Sequence, residues 1–129
     1  MNKIIIEVSI GELLDKISIL EIKQEKIKDP EKLRFISNEY SILKKQFDNN
    51  VKSDDKIKDL FKSLKDINAK LWVIEDDKRQ CEKLKDFGKK FIKLSRDVHF
   101  LNDDRAKIKL EINNYTDSEI KEIKEYTSY

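Results

Sequence analysis

Arg79, Arg105 and Lys109 are the residues of this 129-residue chain best suited to holding an anion. All three stay charged at neutral pH, and a guanidinium can grip a carboxylate or phosphate at two points. Only four of the 28 basic residues are arginine: Arg34, Arg79, Arg96 and Arg105. A chain that otherwise uses lysine for plain positive charge is expected to keep arginine where the planar fork matters.

Helical projection puts charge where a pure core would not. At about 100° per residue, Arg105 falls in the middle of the apolar stripe marked by Leu94, Val98 and Ile112. Asn102, Lys109 and Asn113 lie along its flank. Glu75, Arg79 and Glu82 run beside Ile67, Leu71 and Ile74, with Asn68 and Trp72 on the same edge. Glu21 sits among Leu14, Ile17 and Leu20. A buried guanidinium must be paired, and Glu21, Glu75 and Glu82 are the candidate acids.

Two readings follow. One is a closed salt-bridge network that fixes how the helices pair. The other is a polar cleft in which Glu21, Trp72, Glu75, Arg79, Asn102, Arg105 and Lys109 contact an anionic ligand, with Trp72 offered as a stacking platform. In an enzymatic version, Glu75 would serve as acid or base on a phosphorylated or carboxylated metabolite.

Other candidates read as ordinary structure. His99 lies at a stripe edge, as a hydrogen-bonding or exposed histidine rather than a base. Cys81 falls within a stripe, as packing rather than a nucleophile. Asp76 and Asp77 follow Glu75, but consecutive helical side chains point about 100° apart and do not converge on an ion. The one remaining metal arrangement would pair Glu75 with Glu82 or Glu21 around a magnesium ion. No metal and no cofactor is expected.

These residues need helices to position them. Ser9 with Glu12 forms a capping box that opens a helix to about Lys28. Asp29-Pro30 opens a second, with Leu33, Ile36, Tyr40, Leu43 and Phe47 as its seam and Asn49-Asn50 as its end. Ser53 or Asp54 opens a third. Its apolar periodicity continues so far that one helix from 54 to 114 would span about 90 Å. The break is therefore placed at Asp86-Phe87-Gly88, making an antiparallel hairpin. Thr116 with Glu119 predicts a short last helix to about Tyr126, and Lys3–Val8 predicts one edge strand. The expectation is a single all-α domain over 1–129: a long hairpin packed with two N-terminal helices.

Composition narrows the function classes. Two glycines and one proline argue against most all-β folds and against a Gly-rich phosphate loop. One cysteine and one histidine leave no disulfide framework and no multi-histidine metal centre. The 28 basic and 26 acidic residues alternate, so no patch neutralises several phosphates and no nucleic acid is expected as a partner. No apolar run spans a membrane, and the start lacks signal-peptide features, so a cytoplasmic protein is expected. Ile19 and Ile22, on the far side of the first helix from Leu13 and Ile17, suggest a homodimer face.

Three segments carry a resemblance: Gly11–Lys23 (GELLDKISILEIK), Leu71–Arg79 (LWVIEDDKR) and Leu101–Asn113 (LNDDRAKIKLEIN). Together they resemble a family of small, uncharacterised bacterial and marine helical proteins, over nearly the whole chain. The resemblance implies a helical fold unit and a setting near glycosyltransferases and surface-polysaccharide enzymes, but no established activity. Its shared positions include Glu21, Trp72, Glu75, Arg79, Asn102 and Arg105. The combined expectation is a binding or accessory module for a sugar phosphate, a carboxylate or a partner protein. The alternatives are a small enzyme and a purely structural dimer.

Overall fold

The computed structural model describes residues 2–129. It contains four helices: α1 (Ile10–Lys26), α2 (Pro30–Asn50), α3 (Asp55–Leu84) and α4 (Lys89–Tyr115). The first three openings follow the cap chemistry in the sequence. Ser9 accepts from the Glu12 N–H, Asp29 from Lys32 and Asp54 from Ile57. Gly88 opens α4 without a side-chain cap. α1 ends two residues earlier than expected, because Ile27 is already extended and Asp29 must be extended to cap α2.

The α3–α4 break lies where the lone mid-chain glycine placed it. Lys85 takes a left-handed conformation (φ 54°). The Asp86 N–H then bonds the Cys81 carbonyl and the Lys85 N–H bonds Glu82, a Schellman closure.

α1 is the hub of the fold. α2, α3 and α4 each pack against it, and α3 packs along α4. Leu13, Leu14 and Ile17 of α1 meet Phe47 of α2, Ile57, Leu60 and Leu64 of α3, and Ile112 of α4 in one core cluster. Leu64 and Ile112 are fully enclosed, each stabilising the fold by about 1.5–3 kcal/mol through burial.

α1 also buries its opposite side. Gly11, Asp15, Ser18 and Ile22 recur at spacings of four, three and four residues, and all are buried. This second face lies on the α3–α4 hairpin. The Gly11 N–H donates to Asn113 Oδ1 at 2.7 Å. A Cβ on Gly11 would stand 2.5 Å from the Lys109 carbonyl oxygen, so only glycine allows the two helices this close. Ile22 is 1% exposed; it belongs to this chain's own interior, which removes half of the expected dimer face on α1.

Two further expectations are corrected. Residues 2–9 form no strand, because the described residues offer no second strand to pair with. Residues 116–129 form no helix. Asp117 is left-handed (φ 52°), and the Ser118 N–H closes α4 on the Asn113 carbonyl. The Thr116 hydroxyl donates back to Ile112 rather than capping Glu119. Ser118 is instead taken up at the start of α1, where it accepts from the Ile10 N–H. The tail then turns back along α4, reaching Lys109 through Glu122 and Asp103 through Tyr129.

Candidate functional site

Arg105 is held by an acid that the sequence reading missed. Its Nε donates to Asp15 Oδ1 at 2.9 Å, and its second terminal nitrogen bonds Oδ2, a two-point fork. Asp15 is 1% exposed. Asn68 of α3 donates to the same carboxylate at 2.8 Å and, equally close, to the Ser18 hydroxyl. Residues of α1, α3 and α4 thus converge on one buried carboxylate. Burial alone would raise the Asp15 pKa, but hydrogen bonds from Arg105 and Asn68 and the nearby Lys109 charge outweigh it and hold it below the usual value.

Lys109 extends the network. Its Nζ lies 2.7 Å from Glu12, 3.2 Å from Glu122 and 3.8 Å from Asp15. Burial opposes its charge, yet the Glu12 hydrogen bond and the Asp15 charge keep its pKa above the ordinary lysine value. Three carboxylates therefore surround two cations, and this part of the cluster has no vacancy for another anion. Among the described residues, no buried side-chain nitrogen or oxygen lacks a hydrogen-bond partner.

The expected site residues divide. Trp72, Glu75, Arg79 and Arg105 line one open groove of about 430 Å³, together with Ile19, Asn68, Leu71 and Asp76. Arg79 is exposed and reaches back to Glu75 at 3.4 Å, a weak surface pair. Asn102 accepts from the outer nitrogen of Arg105 at 3.3 Å. Glu21 is elsewhere: it bonds Lys65 at 3.1 Å and Tyr40 at 3.4 Å, beside a separate cavity of about 140 Å³. Lys109 is enclosed in the network. Glu82 is exposed and bonds Lys85, so it is no partner of Arg105. Cys81 is buried. His99 is exposed, tilted against the Phe100 ring and edge-on to the Tyr129 ring.

The groove has a recognisable chemistry. Ile19, Leu71 and the Trp72 indole supply apolar wall. Glu75, Asp76 and Asn68 offer hydrogen-bonding groups, and Arg79 and Arg105 offer guanidinium edges. Arg105 is about one-quarter exposed although its inner edge is fixed by Asp15. Among the described residues, no group of three or more His, Cys, Asp or Glu is arranged to hold a metal ion.

The described residues thus form a four-helix, all-α bundle with an ionic interior and an adjoining groove lined by Trp72. The chain belongs to a family of unknown function, DUF6165, whose sequence model matches residues 4–129. Comparison with curated proteins and with solved structures finds no match in either. Among the described residues, no helix is long and apolar enough to cross a membrane.

Proposed function

We propose that this chain is a binding module whose groove receives a sugar-like ligand carrying a phosphate or carboxylate. The observation that carries the reading is the meeting of Trp72, Arg79 and Arg105 on one groove. A sugar ring stacks on the indole face. Glu75 and Asp76 accept from its hydroxyls. Its anionic group is gripped by Arg79 and the outer edge of Arg105. Asp15 fixes Arg105 beforehand, which lowers the ordering cost of binding. Lys109 and Glu21 are left out, the one enclosed by carboxylates and the other bonded to Lys65. The polysaccharide-assembly setting implied by the resemblance would supply ligands of this class.

A second reading, a scaffold with a purely structural ionic network, is favoured by the closure of Lys109 on Glu12 and Glu122. A thermal-shift panel separates the two. Glucose 1-phosphate, glucuronate, citrate and inorganic phosphate are added to the protein and to Arg79→Lys and Trp72→Ala. Under the binding reading, glucose 1-phosphate or glucuronate raises the melting temperature saturably, and both substitutions blunt the response. Shifts no larger than those of sodium chloride throughout the panel leave the scaffold reading standing.

A further inference from the structure

The segment preceding α1 is apolar and uncovered. Ile4, Ile5 and Ile6 are 90%, 84% and 71% exposed. Among the described residues, no backbone hydrogen bond ties residues 3–8 to the body of the protein. Three consecutive β-branched side chains form a good strand and a poor solvated arm. Strand formation needs a partner backbone, and the described residues do not provide one.

The order of the five residues indicates which partner fits. Lys3-Ile4-Ile5-Ile6-Glu7 is self-complementary about Ile5. Pairing two copies antiparallel about that residue sets Lys3 of each copy opposite Glu7 of the other. Ile4 then faces Ile6, and Ile5 faces Ile5. Opposite charges directly across an antiparallel pair are favourable and like charges are not. Parallel in-register pairing would oppose lysine to lysine and glutamate to glutamate. A slip by one residue would set Lys3 against Ile6 or Val8 and Glu7 against Asn2 or Ile4, so that neither charge meets its opposite.

A two-stranded ribbon alone is marginal in water. The root of this one adjoins further uncovered apolar surface. The Ile10 N–H, at the base of the arm, donates to Ser118 Oγ. Just beyond Ser118 the tail carries Ile120 and Ile123, 39% and 78% exposed. Alternation puts Ile4, Ile6 and Val8 on one face of the ribbon, available to pack on these side chains.

We infer that Lys3–Glu7 is a dimerisation strand that pairs antiparallel with the same segment of a second copy of this chain. The dimer contact therefore lies on the arm rather than on α1, and it is independent of the groove.

Charge reversal tests this without disturbing the folded body. Association of the full chain is measured by sedimentation equilibrium for the parent, Lys3→Glu, Glu7→Lys and the double variant, with circular dichroism checking helix content. The parent forms a reversible dimer. Each single reversal creates two like-charge pairs across the two-fold axis and weakens association by about tenfold or more. The double variant restores the opposition of charges and regains parental affinity. An equimolar mixture of the two single variants forms mixed dimers that neither forms alone. A parent that is monomeric at its highest soluble concentration overturns the proposal. So does a dimer that ignores the single reversals, or a double variant that fails to recover.

Discussion

Asp15 and Arg105 stand 90 residues apart and close a two-point ion pair between α1 and α4, with the carboxylate fully buried. Arg105 separates the ionic interior from the groove. One edge of its guanidinium is committed to Asp15, while the other meets Asn102 and lines the groove with Trp72. The same residue therefore bears on stability and on binding, and the two can be separated by substitution.

Removing Arg105 strands a buried carboxylate. Arg105→Ala is expected to cost about 3–5 kcal/mol. Arg96 is exposed and only approaches the Phe100 ring at 5.9 Å, so Arg96→Ala stays within about 0.5 kcal/mol. Urea unfolding of the two variants checks the contrast, and equal losses would contradict this assignment.

Acid should destabilise the fold through Asp15. Its folded pKa lies below the ordinary 3.8, so its stabilising contribution is complete above that value. It is lost as the pH falls from 3.8 through the lower folded value. Asp15→Asn removes the ion pair, lowers stability at pH 7 and flattens the acid limb below pH 3.8. Melting temperatures measured from neutral pH downward would show the parent and variant curves converging.

Gly11→Ala sets helix propensity against packing. Alanine is the better helix former by about 1 kcal/mol. Its Cβ would nevertheless meet the Lys109 carbonyl oxygen at 2.5 Å and Asn113 Oδ1 at 2.9 Å. The helices must separate, and the variant is expected to lose about 2 kcal/mol. A gain in melting temperature would mean that α1 does not sit this close to α4.

The helices were legible in the sequence because their signals are local. Ser9, Asp29 and Asp54 cap as their chemistry requires, and Gly88 marks the turn into α4. Arg105, Trp72, Glu75 and Arg79 stood out as polar or aromatic groups on apolar stripes, and they share one groove. Asp15 does not stand out in the sequence, because by helical projection it lies away from the Leu14–Ile17 face. The signal was present in the spacing of Gly11, Asp15, Ser18 and Ile22, a second stripe of small and polar residues that matters only once a hairpin packs on it. The Thr116–Glu119 capping box misled for a related reason. Ser118 satisfies the start of α1 instead, a tertiary use that no local pattern reports.

Lys85 offers a stabilising change. It holds a left-handed conformation that costs an ordinary residue about 1–2 kcal/mol, and part of that is offset by the greater unfolded freedom of glycine. Lys85→Gly is expected to gain about 0.5–1 kcal/mol in chemical denaturation. The turn is exposed and lines no part of the groove, so ligand response should be unchanged.

Trp72 is the chain's single tryptophan and lines the groove, so its fluorescence reports directly on the central claim. Glucose 1-phosphate or glucuronate, titrated into the protein under selective tryptophan excitation, is expected to change the emission saturably. Arg79→Lys should shift the curve to higher concentration, and Arg96→Ala should leave it in place. Emission that stays constant with every sugar acid and sugar phosphate tried, or a change that Arg79→Lys leaves untouched, would contradict the groove as a binding site.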